Sequence, residues 1–182
     1  MAGFVAFVVI ILFIINSGAY VLPQGDDLTI YGQPTPYIGE LPTECPSGWP
    51  ISSGYLTQGA YAPGCSHVYL EATDYGVAYA DVFATHAGVV MFAGWDDCCG
   101  NMVRLRSICN GQEFYSTYCH FTSLSVSAGN TVSQGGRLGL SGGTGTCTYP
   151  AGALHLHYAF NYSDGSATGA SDDSYINFPP FM

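Results

Sequence analysis

Cys109-Asn110-Gly111 constrains the fold of this chain more than any other stretch. Asn-Gly suits the two central positions of a type I′ turn, where both residues need positive φ and the backbone twist matches that of paired strands. On either side lie Asn101–Ser107 and Glu113–Tyr118, two β-prone runs. The three segments predict an antiparallel hairpin, and a hairpin needs further strands before it can bury a face. The composition agrees: 24 Gly and 14 Tyr, with many Val, Ile and Thr, favour an all-β domain rich in turns. No convincing amphipathic helix is found after residue 25.

At 182 residues there is room for one ordinary domain plus an anchor or tail. The chain has three arginines and no lysine, and a net charge of −10. That balance argues against a nucleic-acid partner, because no basic patch exists to neutralise phosphates. Seven cysteines are unusual for a reducing compartment and place the domain outside the cytoplasm. Cys45 and Cys65 bracket a loop-rich stretch that they could staple. Cys98, Cys99, Cys109 and Cys119 surround the hairpin, and Cys147 precedes His155. With no Cys-x-x-Cys pair, disulfides are favoured over a cysteine zinc site. The odd count leaves one thiol free or paired between chains, and the connectivity stays open.

The chain divides into four parts. Residues 1–22 are almost unbroken apolar sequence, close to the roughly 20 residues that span a bilayer as a helix. They are expected to anchor the protein in a membrane or in an assembly such as a virion or filament. A cleaved signal peptide is the rival, with Ser17-Gly18-Ala19 as the small-residue site, though no basic segment precedes it. Residues 23–60 read as a Pro/Gly-rich linker or arm, which could lie across the site. A domain over 61–162 follows, then a tail over 163–182. Its apolar end, Asn177 to Met182, suggests a docked tail or an inter-subunit contact, as in a homo-oligomer.

His155-Leu156-His157 lies in a strand-like run. Residues two apart on a strand share a face, so both imidazoles point one way and Leu156 goes the other, into a core. His67 and Glu71 are four apart, and His120 sits in Tyr118-Cys119-His120-Phe121, at the end of a β-prone run. A catalytic zinc site needs three protein ligands and an open position for water. His67, Glu71 and His157 supply that set. His120 and His155 are left as acid/base and oxyanion-stabilising groups. Asp74 is a substitute ligand of second rank, expected in a turn. His86 has no partner in this scheme and reads as a turn residue.

In this order and spacing the chain resembles the lysostaphin-like (LytM-type) zinc endopeptidases, which cut peptide bonds in bacterial cell-wall peptidoglycan. The family's His-x-Gly-x-Asp reads His67-Val68-Tyr69-Leu70-Glu71 here, with Glu for Asp and Tyr69 for the small Gly. Its strand and turn blocks look like Gly76–Ala80 and Ala87–Trp95, and its Tyr-x-His block is Tyr118-Cys119-His120. A Gly-rich stretch from Gly129 ends in Ser141-Gly142-Gly143-Thr144-Gly145, and the final His-x-His is His155-Leu156-His157. The resemblance implies an antiparallel β-sandwich or barrel-sandwich peptidase domain and a peptidoglycan peptide as substrate. It also implies Zn²⁺ on His67, Glu71 and His157, with His120 and His155 as the catalytic pair. The alternative is a non-catalytic domain of the same fold, serving as a structural or cell-wall-binding subunit. A pilin-like filament subunit would rest on the N-terminal segment alone, which lacks the early acidic residue.

Overall fold

A computed structural model describes residues 39–59 and 72–162. Their nine strands are β1 (Tyr55–Gln58), β2 (Ala72–Gly76), β3 (Asp81–Phe83), β4 (Gly88–Asp96), β5 (Gly100–Cys109), β6 (Gln112–Leu124), β7 (Thr131–Val132), β8 (Arg137–Ser141) and β9 (His155–Tyr162). Every pairing between them is antiparallel, in the order β1-β2-β9-β6-β5-β4-β7, with β8 joined to both β3 and β6. The all-β, antiparallel expectation therefore holds. The two-sheet form expected of a sandwich is met differently, by one sheet that branches. β6 pairs with β9 through Phe114–Cys119 and with β8 through Phe121–Leu124. His120 sits at the branch.

The predicted hairpin is present. Cys109 faces Gln112 across the turn, and Asn110 and Gly111 take φ of 52° and 78°, as a type I′ turn requires. Alternation along β6 and β9 then sorts the side chains. Phe114, Tyr118, Leu156 and Tyr158 are buried, as are Tyr75 of β2 and Phe121 beyond the branch. The Tyr118 and Tyr158 rings meet at 5.0 Å, and Thr85 Oγ1 lies 2.9 Å from both hydroxyls. Two phenols can thus be buried without losing their hydrogen bonds.

Residues 41–58 differ from the expected linker, because they are part of the packed domain. Ile51 is fully buried and Cys45 and Trp49 lie against the core. Thr43 bridges Ile108, the Pro42 carbonyl accepts from Ile108 N–H, and Cys45 is bonded to Cys109. Cys45 thus pairs across the far end of the hairpin, not with Cys65, which lies outside the described residues. The other bridges are Cys98–Cys147 and Cys99–Cys119. Residues 1–22, expected as a helix, and the 163–182 tail also lie outside the described residues. Among the described residues there is no helix long and apolar enough to cross a membrane.

His86 lies in the bend between β3 and β4, as its reading as a turn residue expects, but its side chain turns inward. It is fully buried, edge-on to Phe114, and its Nδ1–H donates to the Ala87 carbonyl at 2.8 Å. Nε2 is then free to accept from the Ser116 hydroxyl at 2.7 Å. Burial lowers its pKa, with the nearby Glu44 and the Ala87 carbonyl partly opposing the shift.

Candidate active site

The register of three strands builds the site. Asp74 of β2 faces His157 of β9, which faces Cys119 of β6. These residues share the sheet face opposite Tyr75, Leu156 and Tyr158. Asp74 is thus a strand residue between β1 and β9, not a turn residue. Its Oδ1 accepts from His157 Nδ1–H at 2.9 Å and lies 3.9 Å from His155 Nε2. The Asp74, His155 and His157 side chains keep 14%, 13% and 19% of their exposure, so the cluster is shallow and reachable from solvent.

His120 enters from the branch of β6. Its φ is 67°, a left-handed conformation uncommon for residues other than glycine. Such strain persists where the surroundings over-determine it, and it concentrates at functional sites. Here the ring stands 4.5 Å from that of His155 and 6.0 Å from that of His157. The His120 amide donates to the Cys99 carbonyl at 2.7 Å, and Nδ1–H donates to the Thr144 carbonyl at 2.7 Å. Burial pushes the imidazole down to about 4, ahead of opposing and reinforcing effects from Thr144, His155, His157 and Asp74. His120 is therefore neutral at pH 7.

The structure thus brings together His120, His155 and His157 with Asp74, the ligand ranked second from the sequence. His67 and Glu71 lie outside the described residues. Among the described residues no three His, Cys, Asp or Glu form a ligand group. Asp74 Oδ1 and His157 Nδ1 nonetheless share one proton over 2.9 Å, and a metal ion can replace such a proton, since ligands bind deprotonated. Carboxylate oxygen and imidazole nitrogen are donors suited to zinc. The residues present fit two corners of a metal site.

The model of peptidase family M23 matches residues 68–169, over half of the chain. The chain belongs to peptidase family M23. The match begins one residue after His67. An uncharacterized metalloprotease of Haemophilus influenzae is 44% identical over 62 residues, 34% of this chain and 12% of that protein. The peptidoglycan DD-endopeptidase ShyA of Vibrio cholerae is 31% identical over 113 residues, 62% of this chain and 25% of that protein. The chain thus matches no more than a quarter of the length of these relatives. Among solved structures, the antimicrobial peptidase lysostaphin from Staphylococcus simulans superposes with a TM-score of 0.51 at 27% identity. That superposition covers 65% of this chain and 48% of lysostaphin.

Proposed function

We propose that this M23 domain is a zinc-dependent endopeptidase that hydrolyses peptide cross-links of bacterial peptidoglycan. The observation that carries the reading is the convergence of Asp74, His157 and His155 on one solvent-reachable face, with the buried His120 ring packed against both histidines. Support for the substrate comes from ShyA, whose name makes it a peptidoglycan endopeptidase. Support for a metal comes from the Haemophilus relative, named a metalloprotease. Asp74 and His157 would hold the ion, with His67 as third donor. Asp74 is taken as the carboxylate ligand because its Oδ1 lies 2.9 Å from His157 Nδ1. Bound zinc supplies a Lewis acid and brings the pKa of a bound water towards neutrality.

The chain's own groups do the rest. His120, neutral at pH 7 and protonated at Nδ1, accepts the attacking water's proton at Nε2. His120, then an imidazolium, returns that proton to the leaving amine, while His155, its ring 4.5 Å away, accepts a hydrogen bond from the attacking water at Nε2 and orients it. With a net charge of −10, substrate capture rests on shape and hydrogen bonds. The disulfides and the substrate both suit an extracytoplasmic location, and residues 1–22 would tether the domain to a membrane or assembly.

Zinc content of the full chain, measured alongside turbidity loss of purified peptidoglycan, tests the reading. Stoichiometric zinc and chelator-sensitive clearing are expected. Asp74→Asn should lose both, whereas Glu71→Gln should keep both. The reverse pattern would return the ligand role to Glu71. Zinc without clearing would reduce the domain to a binding module.

A further inference from the structure

The loop joining β8 to β9, from Gly142 to Leu154, begins in the motif Ser141-Gly142-Gly143-Thr144-Gly145. Two of its main-chain carbonyls meet site histidines. Thr144 O lies 2.7 Å from His120 Nδ1 and Ala153 O lies 3.0 Å from His155 Nδ1. A carbonyl oxygen has no proton to give, so each Nδ1 bears a proton, and in the neutral form of either ring Nε2 is the unprotonated nitrogen. The lone pair of both rings is thereby assigned to Nε2.

The loop is built to hold those two oxygens still. Thr144 Oγ1 accepts from Asn101 N–H at 3.0 Å and donates to the Phe121 carbonyl at 2.8 Å. The hydroxyl thus fastens the Thr144 backbone to β5 and β6 on either side of His120. At the other end, a Cβ on Gly143 would stand 2.6 Å from Gly152 O and 2.9 Å from Ala153 O. Both atoms are backbone, so only glycine lets the loop close on itself and keep Ala153 O under His155. Gly142 O, meanwhile, accepts from His155 N–H at 3.0 Å.

We propose that this loop is a tautomer clamp, in which Thr144 and Gly143 are positioning residues that fix Nδ1-protonated His120 and His155 and turn both Nε2 atoms to the reaction. Neither residue needs to touch substrate. The catalytic consequence rests on the peptidase reading above; the tautomer assignment does not.

The test is long-range ¹H–¹⁵N correlation of the ¹⁵N-histidine-labelled full chain at pH 7.5, with His120→Gln and His155→Gln assigning the signals. Both rings should show a protonated Nδ1. Thr144→Val, nearly isosteric, removes both hydroxyl bonds and should turn His120 into a mixture of tautomers while His155 keeps its own. Thr144→Ser should restore the wild-type pattern, which loss of a merely structural contact would not track. Clearing of peptidoglycan should show kcat falling roughly tenfold to a hundredfold in Thr144→Val with KM little changed, and recovering in Thr144→Ser, as for partners that orient site groups. A Thr144→Val protein with wild-type tautomers and kcat would overturn the proposal. If that variant gives no dispersed amide spectrum, Gly143→Ala decides, since it should disturb His155 instead; an unchanged His155 tautomer there would overturn it equally. A wild type that clears nothing sinks the peptidase reading alone, because the ring signals still report on the clamp.

Discussion

Among the described residues, His86 is one of two buried imidazoles, with His120, that tie stability to pH. Burial lowers its pKa, so below about 6.5 the unfolded chain takes up a proton that the folded one refuses. Its contribution is present above that pH and lost as pH falls through the window beneath it. Urea midpoints between pH 7.5 and 5 should drop for the wild type and drop less for His86→Gln. The substitution also disturbs the bonds to Ser116 and Ala87, at a cost of about 1–3 kcal/mol at pH 7. His120 makes the contrasting case at the site. His120→Ala should abolish clearing while zinc stays stoichiometric, because Asp74 and His157 keep their contact; loss of zinc would move His120 among the ligands. Sequence spacing indicated His155 and His157 on one face, since period two is local. It offered Asp74 only as a second-rank ligand in a turn, because Ala72–Gly76 carries Asp and Gly, which are poor strand formers. What makes it a strand is pairing with β9, some eighty residues away. The burial of His86 was hidden for a similar reason, as its partners Ser107 and Ser116 belong to β5 and β6.

The β5–β6 hairpin joins a turn that was readable from two residues to a branch that was not. Asn110-Gly111 announces the turn on its own. The switch of β6 from β9 to β8 at His120 depends on which strands arrive beside it, and no local pattern encodes that. The two ends of the hairpin should therefore respond separately. Gly111 has φ of 78°, and a Cβ added there would meet nothing within 4 Å. Gly111→Ala thus meets only the backbone penalty of a left-handed residue, about 1–2 kcal/mol. Denaturant unfolding should show a lower midpoint at unchanged slope, with kcat on peptidoglycan within error of wild type. A fall in kcat at full folding would show that the turn and the His120 branch are mechanically linked.

The three disulfides divide the labour of the whole domain. Cys45–Cys109 joins residues 64 apart, and Cys98–Cys147 joins residues 49 apart. Loop-closure entropy depends weakly on length, and the chain-entropy model gives each about 4 kcal/mol at 25 °C. Their positions differ. Cys45–Cys109 ties the upstream arm to the turn end of the hairpin, behind the core. Cys98–Cys147 ties the β8–β9 loop to the turn before β5, where the Cys147 amide donates to the Cys98 carbonyl at 3.1 Å and the Thr146 amide to Asp97 O at 2.9 Å. That turn also carries Cys99, whose carbonyl holds the His120 amide. Replacing both cysteines of either bridge by alanine should cost comparable stability, seen as similar drops in urea midpoint. Activity should separate them. Assayed where both variants are fully folded, the Cys45/Cys109 variant should clear peptidoglycan at close to the wild-type rate. The Cys98/Cys147 variant should clear it roughly tenfold more slowly, since the loop that presents Thr144 O and Ala153 O has lost its outer tether. Equal rates in the two would mean that the loop's hydrogen bonds, from the Thr144 hydroxyl and from the Thr146 and Cys147 amides, hold it in place without the disulfide.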